Sequence, residues 1–96
     1  MKKINKIYNY KRINKQKRGG FMYAYVLVAL DEIGVEDVVE EFRDMSEVEE
    51  AHILFGEWDL IIKLKASTPE EVARFVLEKV RSREEVRLTS TLIVAK

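Results

Sequence analysis

Apolar positions in this chain fall into four short runs and two helical stripes. Residues 21–30 are almost wholly aromatic, β-branched or aliphatic, which predicts a strand apolar on both faces and therefore central or covered on each side. Asp31-Glu32-Ile33-Gly34 breaks it. Val35, Val38, Val39 and Phe42 then recur at helical spacing, with Glu36, Asp37, Glu40 and Glu41 between them on the solvent side, and Met45-Ser46 closes this first helix. Strand character resumes over 48–55, with Glu49 and Glu50 near its start, and Gly56-Glu57-Trp58 makes a corner. Leu60, Ile62 and Leu64 alternate with Ile61, Lys63 and Lys65, the period-two pattern of a strand with one buried face. Thr68-Pro69-Glu70-Glu71 supplies a capping hydroxyl, a proline at the first helical position and an acid three residues after the cap, so a second helix starts there. Its inner stripe is Val72, Phe75, Val76 and Val80. Polar residues 81–85 separate it from a last strand over 86–95.

The order βαββαβ places the chain in the α+β class. It suits a ferredoxin-like arrangement, an antiparallel four-stranded sheet with both helices on one face. The opposite sheet face then needs a partner, because the first strand is apolar on both sides and Ile61, Ile93 and Ala95 are expected to add to that second face. A second copy of the chain, pairing sheet to sheet in a dimeric α/β barrel-like assembly, would cover it.

At 96 residues the chain allows one domain, and its small size favours association. The absence of cysteine removes disulfides, thiolate nucleophiles and Cys-type zinc sites, and fits a reducing, cytoplasmic compartment. The longest apolar runs are about half the roughly 20 residues a membrane-spanning helix needs, and residues 1–20 lack the apolar core of a signal peptide. No membrane association is expected.

Net charge is zero, with seventeen basic and seventeen acidic residues. Eight of the basic residues lie in 1–18 with no acid among them, so residues 1–20 form a basic head and 21–96 an acidic module. The head reads as a disordered arm. Tyr8 and Tyr10 among its lysines could stack on bases, or it could be a solvated tail with no role. A further reading is that the chain naturally starts at Met22. Fourteen of the sixteen residues 2–17 are Lys, Ile, Asn or Tyr, as translated AT-rich DNA would be, and Arg18-Gly19-Gly20 can be encoded by a purine-rich ribosome-binding site. All Asn and Gln lie in the head, whereas 21–96 is dense in Glu, Lys and Arg, a composition similar to that of thermophile proteins.

The corner Phe55-Gly56-Glu57-Trp58-Asp59 is the one segment that looks built for a ligand. Gly56 lets the backbone turn, and Asp59 places a carboxylate at the mouth of the next strand, suited to an ammonium group; capping the turn or pairing with Lys63 would equally occupy it. Trp58, a large aromatic at a corner, suggests a pocket wall or subunit contact. His52 is the only histidine and has no partner for a metal. With no cysteine and no carboxylate pair, a catalytic group is hard to assemble. An enzyme with a cavity between paired sheets is therefore the weaker alternative, and no metal or cofactor is expected. The strands also lack the aromatic-glycine pattern of an RNA-reading sheet.

With this element order, the Gly-acid-aromatic-Asp corner after the second strand and the Thr89-Ser90-Thr91-Leu92-Ile93-Val94 last strand, residues 22–95 resemble the effector-binding module of the Lrp/AsnC transcription regulators. The resemblance implies modules paired through their sheets, dimers assembled into rings of four, and a small metabolite, typically an amino acid, bound between dimers. It implies ligand contacts at Phe55, Gly56, Glu57, Trp58 and Asp59, with Thr89 and Thr91 contributed by a neighbour. Trp58 stands where the family usually has Tyr. No helix-turn-helix precedes the module, so a full-length regulator of the family is an expected partner and direct DNA binding by the module is not expected.

Overall fold

The computed structural model describes residues 20–31 and 34–96; the readings of the basic head fall outside these residues. Four strands, β1 (Met22–Leu30), β2 (Val48–Ile53), β3 (Leu60–Ala66) and β4 (Val86–Ile93), alternate with two helices, α1 (Val35–Arg43) and α2 (Pro69–Phe75). The sheet runs β2-β3-β1-β4, with every neighbouring pair antiparallel. This is the ferredoxin-like fold that the periodicity predicts.

Each element forms for a local reason. Gly34 sits at φ 67° and turns the chain into α1, whose first-turn Glu36 and Asp37 complement the positive end of the helix dipole. Thr68 Oγ1 accepts the Glu71 amide at 3.2 Å, while Glu71 Oε1 accepts the Ser67 amide at 2.9 Å, closing a reciprocal cap around Pro69. After Phe75 the second helix widens into a π-helical turn, Val76–Val80, closed by Arg81 N donating to Val76 O at 2.7 Å.

Both helices pack on one sheet face. Ala24, Val26, Val28, Leu60, Ile62, Leu64 and Ala51 meet Val38, Val39, Phe42, Val72, Phe75, Val76 and Val80 in a single core. Fully burying a side chain of this kind contributes about 1.5–3 kcal/mol, so the stripe residues dominate the stability. Phe42 and Phe75, one from each helix, lie 6.4 Å apart between centroids. Arg83 fastens the rim of this layer. Its guanidinium bonds Glu41 of α1 at 2.6 Å and Glu85 at 2.8 Å, and lies 5.3 Å from the Phe42 ring. Burial works against its charge, but the bonds to Glu41 and Glu85 outweigh that and hold its pKa above the ordinary value.

The other sheet face carries Tyr23, Tyr25, Leu27 and Ala29 from β1, as the two-faced apolar run predicts, with Ile61 from β3. Leu88 and Leu92 of β4 join them as cross-strand partners of Ala29 and Tyr25. The Lys63 and Lys65 ammonium groups lie over the Tyr23 and Phe21 rings at 4.8 and 4.2 Å, so even the charged positions of β3 shield aromatic surface. Two expectations are corrected. Ile93 pairs with Ala24 and so faces the helix side, because the register of β4 puts its odd-numbered residues 89, 91 and 93 there; Ala95 lies beyond the strand's end. The second strand stops at Ile53 rather than Phe55, since the chain bends from Phe55 through Glu57.

Candidate functional site

The corner between β2 and β3 is held by Asp59. Its amide donates to Val28 O at 2.8 Å, its carbonyl accepts from Leu54 N at 2.9 Å, and its carboxylate Oδ2 accepts the Leu30 amide at 2.7 Å. Two of these bonds tie the corner to the end of β1, and the third closes the corner on itself. Lys63, the other partner considered for Asp59, instead lies 3.9 Å from Glu50. Gly56 has φ 139°, a conformation L side chains rarely adopt, and a Cβ there would meet nothing within 4 Å. Backbone conformation, not crowding within the protomer, requires glycine.

The corner side chains diverge. Phe55 is fully exposed, Glu57 is exposed and Trp58 half-buried. Glu57 and Trp58 line a hollow of about 330 Å³ with Ala29, Arg87 and Leu88. A second hollow, about 370 Å³, is lined by Arg81, Val86, Arg87, Leu88 and Thr89. Arg87 and Leu88 border both.

A β-bulge places Arg87 there. Ala29 pairs with Leu88 but Leu30 pairs with Val86, so Arg87 is the extra residue of β4. A bulge bends the strand and re-aims the side chain it frees. Arg87 Nε also lies 3.5 Å from Asp31 Oδ1.

Thr89 and Thr91, alternate residues of β4, share the helix-side face as cross-strand partners of Val28 and Val26. Thr91 borders a groove between α2 and β4 with Val72, Val76 and Leu77. Neither threonine lines the Trp58 hollow. Within one protomer the corner and the threonines thus border different hollows.

His52 and the acids of α1 lie away from this corner. His52 Nε2 lies 3.0 Å from Glu50 Oε1 on the outer sheet face, and that bond, with Lys63 behind it, holds the Glu50 carboxyl below its ordinary range. Glu36, Asp37, Glu40 and Glu41 are exposed on α1 as predicted, with Glu40 bonded to Arg43 at 3.1 Å. Arg43 Nε also donates to Ala51 O at 2.9 Å, fastening α1 to β2.

Residues 23–96 match the Lrp/AsnC ligand binding domain. The chain belongs to the Lrp/AsnC family. It is 35% identical over 88 residues to an HTH-type transcriptional regulator of Pyrococcus abyssi, covering 88% of this chain and 55% of that protein. The chain therefore spans about half the length of that relative. Among solved structures, FFRP-DM1 is 34% identical with a TM-score of 0.72, covering 76% of this chain and 97% of that one. A regulator of Neisseria meningitidis, solved in complex with L-Met, shares the fold at 23% identity and a TM-score of 0.70, covering 78% of this chain and 50% of that one. Residues 23–96 thus carry the fold of the Lrp/AsnC ligand binding domain.

Sequence reasoning missed Arg87 and Leu88. In sequence Arg87 reads as one more outward polar residue of a strand, and nothing local announces the bulge.

Proposed function

We propose that this Lrp/AsnC domain is an oligomeric amino-acid sensor. A small metabolite seated against the corner 55–59, between subunits, shifts assembly or association with full-length regulators and so modulates transcription indirectly. The match of residues 23–96 to the family's ligand binding domain carries this reading. Three further observations support it. The corner is rigidly framed by Asp59; the outer sheet face presents Leu88 and Leu92 at about half exposure, an apolar surface suited to a second copy; and a neighbour of the same fold has been solved with L-Met.

The role is regulatory: a ligand shifts assembly only by its differential affinity for the two states, typically about 1–3 kcal/mol of coupling. Light scattering of the full chain, alone and with each of the twenty amino acids, tests it. A dimer that one amino acid converts to a larger ring, or a ring that one dissolves, is the expected result. A mass indifferent to all twenty, together with no heat of binding, would overturn the proposal.

A further inference from the structure

The hollow beside Trp58 presents both signs of charge beside apolar side chains. Glu57 and Arg87 line it together with Trp58, Leu88 and Ala29. Resting on the sensor reading above, we infer that Arg87 is a specificity-determining residue of the ligand site. It takes the α-carboxylate of an amino acid whose ammonium group Glu57 receives and whose apolar side chain lies against Trp58 and Leu88.

Four observations converge on this. First, the bulge at Ala29/Leu30 makes Arg87 the unpaired residue of β4, and bulges are over-represented next to active sites, where they re-aim a side chain. Secondly, a guanidinium offers a planar fork that matches a carboxylate in two parallel hydrogen bonds. Thirdly, Asp59, the corner's other carboxylate, already accepts the Leu30 amide at 2.7 Å, whereas Glu57 is exposed and bonded to no described residue. Lastly, a volume of about 330 Å³ lies at the small end of the roughly 300–1,000 Å³ of ligand pockets, which suits a single amino acid better than a peptide. Asp31, 3.5 Å from Arg87 Nε, would compete with the ligand for the guanidinium, so the free site is held by an internal carboxylate that the ligand's own displaces.

Calorimetric titration of the full chain tests this with L-leucine, isoamylamine, which lacks the carboxylate, and isocaproate, which lacks the ammonium. The wild type should prefer L-leucine to either analogue by at least tenfold. Arg87→Gln should bring the leucine-to-isoamylamine ratio close to one, Glu57→Gln should do the same for leucine to isocaproate, and Arg87→Lys should keep part of the preference. Asp31→Asn should bind leucine at least as tightly as the wild type. Arg87 and Glu57 are exposed, and unchanged thermal melting would show that the variants remain folded. Ratios unmoved by these substitutions, with leucine still bound, would overturn the role of Arg87 and leave the sensor reading intact. A wild type that binds only charged amino acids would overturn the placement of an apolar side chain against Trp58 and Leu88. Failure to bind any of the twenty would remove both.

Discussion

Asp59 Oδ2 accepts the main-chain amide of Leu30 at 2.7 Å across 29 residues of sequence. The bond joins the start of β3 to the last residue of β1, and it lies beside the corner proposed to meet ligand. A hydrogen bond to a charged group contributes about 1.5–3 kcal/mol. Asp59→Ala should therefore lower unfolding stability by about that amount, mainly by leaving the Leu30 amide unsatisfied, whereas Asp59→Asn, which keeps an acceptor, should cost less. Urea unfolding followed by circular dichroism measures both. Equal stability of Asp59→Ala and the wild type would show that the bond does not hold the corner.

Gly56 and Gly34 separate two kinds of glycine requirement. Both have open space where a Cβ would stand, but Gly56 has φ 139° and Gly34 has φ 67°. The second value lies in the left-handed region that Asn visits readily; the first lies in territory that is nearly glycine-only when ψ is extended. Gly34→Asn should thus be close to neutral, while Gly56→Asn should cost about 1–3 kcal/mol from backbone strain alone. Chemical denaturation of the two variants side by side checks the contrast, and equal midpoints would contradict it.

Most of the fold was legible because its signals are local or periodic. The stripe Val72, Phe75, Val76 and Val80 names the buried face of the second helix, and Thr68-Pro69-Glu70-Glu71 names its start. The two-faced run of β1 correctly implied a central strand. Ile93 shows where this reasoning stops. Its face is set by pairing register, and alternation in an isolated strand cannot say which parity is inward when both faces carry apolar residues. The π-helical turn after Phe75 was equally silent, since Val76 and Val80 are spaced as they would be in an α-helix. In the candidate site, the corner 55–59 stood out through Gly56 and Trp58, but Arg87 did not. A bulge is a property of two strands together, and it leaves no mark in either one.

Acid should loosen the domain first along its rim. Glu85 has its carboxyl held below the ordinary range, first by its own main-chain amide and then by Arg83, and Glu50 is held down by His52 and then Lys63. A carboxyl with a depressed folded-state pKa stabilises the native state fully above its unfolded value. That contribution is lost as pH falls through the lower, folded-state value. Melting temperature should therefore fall as pH drops below the unfolded glutamate pKa of about 4.3. Arg83→Gln should shorten that fall, because it removes one reason for the low Glu85 value. Melting curves taken between neutral pH and strong acid test this; an Arg83→Gln profile parallel to the wild type down to the lowest pH would contradict it.

The outer sheet face makes a prediction about assembly that is independent of ligand. Leu92 of β4 is the cross-strand partner of Tyr25 of β1 and is about half exposed in the protomer. With Leu27, Ile61 and Leu88 it forms an apolar surface opposite the helices, over which the lysines of β3 lie folded onto aromatic rings rather than extended into solvent. A carboxylate at position 92 would stay hydrated in a monomer but would be buried without a partner under a second sheet, where an uncompensated charge costs several kcal/mol. Leu92→Glu should therefore leave the protomer's own stability nearly unchanged while converting a dimer to a monomer. Light scattering at several concentrations, with a melting curve of each variant, separates the two effects. A Leu92→Glu protein that kept the wild-type mass would mean that subunits associate through a different surface, the exposed Leu77 beside the groove between α2 and β4 being the next to test.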